Sequence, residues 1–374
     1  MSRMTDKPAS VADYGDLFKQ RVHEMACLYY ESGSDEEITL EQNRKAFKRL
    51  RIRPRLLQDV SSNDLSLSLL GHRVDLPICI APTALHGIVN PDAEVATAKA
   101  AETMGTCMVL SLHANKSMEE VRAKTPNGLK WLNLYVFRNR TVTLDLVRRA
   151  ECTNYKGLVL TIDNPSLGQL ARTRHRKESS VHFRKTIETH GYGHLEKYLK
   201  GYDMGPIVGT TPSDMDRRDP SATWEYVDWL RTQTNLPIIV KGVLTEEDAI
   251  LAVNHGVNAV IVSNHGGRLL DSVPASIEAL PEVVRAIGDK VEVYIDGGIR
   301  NGIDVFKALA LGAKAVFVGR PILYGLAHSG EEGVHHILEI LKTELIRTMQ
   351  FAGCRSLSDI KPSFVVHESH YTKL

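Results

Sequence analysis

From Leu76 onward the chain alternates between short, mostly apolar runs and longer segments whose apolar residues recur at helical spacing. Leu76–Ile80 ends in Ala81-Pro82-Thr83-Ala84, Cys107–Leu110 in Ser111, Trp131–Leu134 in Tyr135, Leu158–Leu160 in Thr161-Ile162-Asp163, and Pro237–Val240 in Lys241-Gly242. Val260–Val262 leads into Ser263-Asn264-His265-Gly266-Gly267-Arg268, Val291–Ile295 into Asp296-Gly297-Gly298-Ile299-Arg300, and Ala315–Val318 into Gly319-Arg320-Pro321. Continuous apolar runs of this length suit strands buried on both faces, as in a parallel sheet. Between them, Glu94–Met104 is rich in alanine and Met118–Arg122 carries charges at exposed spacing. Val142, Leu146 and Ala150 share one helical face, and Trp224–Leu230, Glu247–Ala252, Ile277–Ile287 and Val305–Leu311 read as helices too. Eight β-then-α units predict an α/β fold, a (β/α)8 or TIM barrel, over residues 76–350.

The flanks follow other patterns. Tyr14, Phe18, Val22, Met25 and Tyr29 predict one amphipathic helix over 10–30, with Gly33 as its stop, and 47–72 reads as an irregular wrap. Residues 1–75 thus form an N-terminal helical wrap and 351–374 a tail, the whole chain making one domain. After the fourth strand the rhythm breaks. The polar stretch 164–221 is too long for an ordinary connection and is expected to be a lid.

Charge and composition exclude several classes. With 46 basic and 45 acidic residues the chain lacks the cationic footprint of a nucleic-acid binder. No apolar run reaches membrane-span length, and the polar start, with Asp6 and Lys7, is unlike a secretory signal. The five cysteines are scattered, which suits a reducing compartment. Thr372-Lys373-Leu374 resembles the S-K-L peroxisomal address, so the expected location is peroxisomal or cytoplasmic.

In a barrel, the polar residues that end each strand converge on one cavity. Gly297, Gly298 and Gly319 let backbone N–H groups approach an anion, while Arg300 and Arg320 add forked cations, so the last two units read as a phosphate site. His265 and Asp163 form a base and its orienting carboxylate, Arg268 suits capture of a substrate carboxylate, and Lys241 is expected to face something anionic. A phosphate clamp, a lysine, ring-edge donors and a base beside a carboxylate-binding arginine suggest an enzyme that uses flavin mononucleotide, FMN. His190 and His194 stand four apart, with His175 and His182 upstream, but Gly191 and Gly193 disfavour a rigid helix there and no metal site is expected.

Ser-Asn-His-Gly-Gly-Arg (263–268), Val-Lys-Gly (240–242), Asp-Gly-Gly-Ile-Arg (296–300), Ala-Pro-Thr-Ala (81–84) and Leu-Tyr-Val (134–136) resemble the FMN-dependent L-2-hydroxy acid oxidases, the glycolate oxidase group. The resemblance runs from about Tyr14 to Leu374. It implies His265 as base and Asp163 as its partner, Arg268 and Tyr29 on the substrate carboxylate, Tyr135 on the substrate hydroxyl, and Lys241 at the N1–O2 edge of the flavin. Pro82, Thr83, Ala84, Ser111, Asn133, Thr161 and Ser263 would line the ring, Asp296 would hold the ribityl chain, and Gly297, Gly298, Arg300, Gly319 and Arg320 the phosphate.

Three positions depart from the family pattern. Leu170 stands where a lid arginine is usual, with Arg172 and Arg174 nearby as possible substitutes; Asn133 replaces a glutamine; and His113 replaces a tryptophan over the substrate. The implied activity is that of an (S)-2-hydroxy-acid oxidase. It would convert an L-2-hydroxy acid to the 2-keto acid, with dioxygen reoxidising the flavin to give hydrogen peroxide. A dehydrogenase with another acceptor, or a flavin-binding barrel weakened by Leu170, are the alternatives. The implied assembly is a homotetramer or octamer, with no nucleic-acid or membrane partner.

Overall fold

Parallel strands that bury both faces need helices outside and a filled interior, and this chain supplies both. The computed structural model describes residues 7–165, 191–195 and 218–372. Ahead of the barrel come helices α1 (Val11–Arg21), α2 (Glu24–Glu31) and α3 (Ile38–Arg49) and strands β1 (Leu50–Ile52), β2 (Leu67–Leu69) and β3 (His72–Val74). The barrel strands are β4 (Ile78–Ile80), β5 (Met108–Leu110), β6 (Lys130–Tyr135), β7 (Leu158–Thr161), β8 (Ile238–Val243), β9 (Ala259–Val262), β10 (Glu292–Asp296) and β11 (Ala315–Val318). They pair in sequence order and close between β11 and β4, every pair parallel. All eight coincide with the apolar runs in the sequence. Helices α4 (Ala93–Thr103), α5 (Met118–Lys124), α6 (Arg140–Cys152), α7 (Glu225–Arg231), α8 (Glu246–Asn254), α9 (Ser276–Ile287), α10 (Gly302–Ala310) and α11 (Arg320–Ala352) follow the strands, and β12 (Val365–His367) pairs antiparallel with β1.

The flanks differ from the sequence-based expectation. The single helix expected over 10–30 is two, because Val22 turns extended and the His23 imidazole caps α2 by accepting from Met25 N at 3.2 Å. The stretch 47–72 holds β1, β2 and the turn into β3, whose Leu69 and Val74 plug the bottom of the barrel. Helix α3 buries Thr39 and Asn43 beside Ala46 and Phe47, and that mixed face hid it from an apolar-period reading. Helix α11 is interrupted at Ser329 and Gly330, whose φ values are −153° and 61°.

The interior positions site residues by strand parity, since alternate residues of a strand face opposite ways. Cys79, Val109, Trp131, Val159, Ile239, Ile261, Tyr294 and Phe317 pack together inside the barrel. Two residues further along each strand the same face becomes Ala81, Ser111, Asn133, Thr161, Lys241, Ser263, Asp296 and Gly319. The interior is therefore an apolar plug topped by a largely polar rim. No described helix is long and apolar enough to cross a membrane.

Candidate active site

The β9 turn carries the sharpest backbone feature. His265 adopts φ 57°, a conformation a bulky residue rarely takes and one that concentrates at functional sites. Ser263 Oγ accepts from His265 N at 3.0 Å, and Gly267 N donates to Asn264 O at 3.0 Å. The Asn264 side chain exchanges two 2.8 Å hydrogen bonds with Asn43 of α3, fixing the turn from outside.

His265 Nδ1 lies 3.0 Å from Asp163 Oδ1. Burial pushes the Asp163 carboxyl up, but the adjacent imidazole, its hydrogen bond and Lys241 outweigh that and hold its pKa below the ordinary carboxylate value. An ionised carboxylate can only accept, so Nδ1 carries a proton, and in the neutral imidazole the lone pair is on Nε2. Asp163 Oδ2 is buried without a hydrogen-bond partner among the described residues. Gly242 makes room for this carboxylate: at φ 114°, a Cβ there would stand 2.5 Å from Asp163 Cβ.

Lys241 and Asp296 are both buried at the tops of β8 and β10, Nζ to Oδ2 3.0 Å. Lys241 Nζ also donates to Ser263 Oγ at 2.7 Å. Burial works to lower the lysine pKa, but Asp296 and Asp163 outweigh it and keep the ammonium charged. Asp296 Oδ1 is buried with no donor among the described residues. An acceptor so placed costs on the order of 1–3 kcal/mol unless a ligand supplies the donor.

Burial, with the nearby Arg268 and Arg300 charges adding to it, pushes the Arg320 guanidinium down to about 10, so the three arginines gather close together. Among the described residues none of the three is in an ion pair with a carboxylate. Three cations collected in this way form an anion site. The neighbouring glycine turns are tight: at Gly298, φ 83°, a Cβ would stand 2.0 Å from Asn43 O, and at Gly319 it would touch Thr83 Cγ2 at 3.3 Å. Arg320 is also a strut, with Nε donating to Tyr30 O at 2.7 Å, Nη1 to Gly266 O at 3.0 Å and Nη2 to Ser32 O at 3.2 Å. Arg268 Nη1 donates to Tyr29 O at 2.7 Å, and its guanidinium lies 5.1 Å from the Tyr29 ring. These bonds bring the C-terminal end of α2 onto the rim. Burial raises the Tyr29 phenol, with Arg268 opposing, so it stays a donor.

The remaining expected residues sit around the same rim. Tyr135 is buried, with the His113 ring 5.5 Å away. Asn133 Nδ2 donates to Thr161 Oγ1 at 2.9 Å, Ser111 Oγ accepts from His113 N at 3.2 Å, and Thr83 Oγ1 meets His86 Nε2 at 2.6 Å. Pro82 follows β4, and Ala84 O accepts from the Tyr30 hydroxyl at 3.0 Å. Leu170, Arg172, Arg174, His175, His182 and His190 lie outside the described residues, as do most of the expected lid and the terminal Lys373 and Leu374. His194 is described and fully engaged: Nδ1 accepts from Met118 N at 3.0 Å and Nε2 donates to Ser111 O at 3.1 Å.

Sequence reasoning missed two participants. Asn43 belongs to a helix that was not predicted, and nothing local marks it. Arg218 is one cation among many in a polar stretch, yet it is buried with its guanidinium 3.7 Å from the Tyr135 ring centroid.

Residues 18–367 match the FMN-dependent dehydrogenase family. The chain is 44% identical to 2-hydroxyacid oxidase 2 of Bos taurus, covering 95% of this chain and 97% of that one. It is 45% identical to glycolate oxidase 1 of Zea mays, covering 96% of both. Its fold superposes on a soluble mutant of the membrane-associated (S)-mandelate dehydrogenase of Pseudomonas putida with TM-score 0.86 and 36% identity, over 97% of this chain and all of that one.

Proposed function

The chain belongs to the FMN-dependent dehydrogenase family, and from that premise we propose that it is an (S)-2-hydroxy-acid oxidase that turns an L-2-hydroxy acid into the 2-keto acid and hands the electrons to dioxygen. The observation that carries this reading is the His265–Asp163 pair, 3.0 Å apart on a left-handed turn at the barrel rim. It leaves Nε2 as a base inside a cluster of fixed cations.

The residues present fit FMN. The buried, donor-less Asp296 Oδ1 suits a ribityl hydroxyl. Arg300, Arg320 and the glycine turns at 297–298 and 319 suit a phosphate. The Lys241 ammonium, buried and kept charged, suits the electron-rich edge of a reduced ring. Thr83, Ser111, Asn133, Thr161 and Ser263 supply a polar wall for the ring beside Pro82 and Ala84. Bound FMN supplies the two-electron acceptor.

The chain's own residues then act as follows. Arg268 and Tyr29 hold the substrate carboxylate, which fixes which face of the α-carbon is presented. Tyr135 donates to the substrate oxygen. His265 Nε2 takes one proton from the substrate, from its O–H or its α-C–H, and Asp163 stabilises the imidazolium through Nδ1. The substrate's two electrons and its other hydrogen would go to FMN held by these residues, and dioxygen would be the final acceptor, leaving as hydrogen peroxide.

The test is an anaerobic titration of purified protein with L- and D-2-hydroxy acids of increasing chain length. The protein is expected to be yellow, with at least one L-acid bleaching it and admitted oxygen restoring the colour with one equivalent of peroxide. A yellow protein that no acid bleaches would overturn the assignment.

A further inference from the structure

We propose that Arg218 is a positioning residue for Tyr135, holding the phenol in place and strengthening its hydroxyl as a hydrogen-bond donor toward the substrate. The inference rests on the reading above, in which Tyr135 bonds the substrate oxygen. It adds a residue that acts on that bond from the opposite end of the long connection.

Arg218 is 6% exposed. Its guanidinium carbon lies 3.7 Å from the Tyr135 ring centroid and 5.4 Å from that of Phe137. The backbone keeps it there: Arg218 and Phe137 form an antiparallel β-bridge, and Asp219 N donates to Val136 O at 3.0 Å. The residue is thus stitched to the end of β6, directly past Tyr135. A guanidinium taken out of water needs compensation. The Tyr135 ring beneath it offers an electron-rich face, and such contacts strengthen where water is excluded.

The contact also acts on the phenol. The groups that bear on Tyr135 are Arg218, Asp163, Lys241 and Tyr29, with the His113 ring 5.5 Å away. Burial raises the Tyr135 pKa most; Arg218 is the foremost charge opposing it, Asp163 works the other way, and Lys241 sides with Arg218. A phenol next to a cation gives up hydrogen-bond density more readily, so the oxygen it contacts is more strongly polarised. Losing Arg218 would free the face of the ring it covers and weaken the donor.

The experiment uses the full-length holoenzyme with fluorotyrosine at position 135, followed by 19F NMR through an alkaline titration, with Arg218 intact, Arg218→Lys and Arg218→Met. The ionisation midpoint is expected to rise by about half a pH unit or more in Arg218→Met, with Arg218→Lys in between. Packing alone would not move it. The second arm is a double-mutant cycle on kcat/KM. Arg218→Met is expected to cost roughly tenfold with Tyr135 present and less than about twofold in Tyr135→Phe. An unmoved midpoint in Arg218→Met, or equal losses in both backgrounds, would overturn the proposal. The titration needs no substrate, so an enzyme that no hydroxy acid reduces would defeat the functional reading while the midpoint still decides the role of Arg218.

Discussion

Two carboxylates, Asp163 and Asp296, divide the chemistry of the rim. Each has one oxygen bonded to a cationic or polarisable partner and one buried oxygen without a donor among the described residues. Asp163 bonds to His265 and Asp296 pairs with Lys241, so the proposed base and the buried ammonium are each oriented from behind. Asp163→Asn would allow its amide to donate to Nδ1 and so move the imidazole proton to Nε2. Flavin reduction is then expected to slow by about 10²- to 10⁴-fold with FMN still bound. Anaerobic stopped-flow absorbance measures this, and a loss under threefold would show that Asp163 does not set the tautomer. The motif 263–268 made His265 and Arg268 legible in the sequence. The stack of Arg218 on Tyr135 was not, because no local pattern records a contact between a loop residue and a distant strand end.

Among the elements, those with continuous apolar character were the legible ones. Strands β4 to β11 are buried on both faces, and each announced itself as a short apolar run. Helix α3 was not legible, since Asn43 on its buried face serves a polar bond to Asn264. At the β8 turn, Gly242→Ala would place a methyl 2.5 Å from Asp163 Cβ at φ 114°. Thermal unfolding is expected to show a loss of about 1–3 kcal/mol from the backbone conformation alone, with slower flavin reduction beside it. A wild-type Tm would mean that the turn tolerates a side chain.

The segment 191–195 is pinned to β5 and α5 by His194, and its pinning titrates. Burial, with the Arg149 charge adding to it, lowers the His194 pKa from the usual 6.5 to about 4. In the unfolded chain this imidazole takes its proton near 6.5, so the unfolded state gains protons first as the pH falls. Stability is full above that pH and declines between about 6.5 and about 4, by on the order of 3 kcal/mol at the bottom of the window. His194→Gln, which retains a donor and an acceptor, is expected to flatten that decline in urea titrations run across the window. An unchanged slope would assign the decline to other groups.

For the whole molecule, the barrel brings eight strand ends to one rim, and α2 closes the rim through carbonyls that bind Arg268 and Arg320. The sequence revealed the barrel and the cationic turns. It did not reveal that the N-terminal wrap supplies the oxygens that order them, because that join depends on tertiary packing. If the arginines hold a phosphate, FMN should stabilise the apoprotein more than riboflavin does at the same free concentration, by mass action on the folded state. Arg300→Ala should close most of that gap in a thermal-shift comparison. Equal shifts for the two ligands in the unsubstituted protein would remove the phosphate from this cradle.

The central claim is that His265 is the base of a flavin-reducing site, and it is tested most directly by anaerobic stopped-flow bleaching of the FMN-loaded wild type beside His265→Gln, using the best L-2-hydroxy acid. The expected result is FMN bound equally well in both and reduction slower by about 10²-fold or more in the variant. Bleaching of His265→Gln at the wild-type rate would contradict the account.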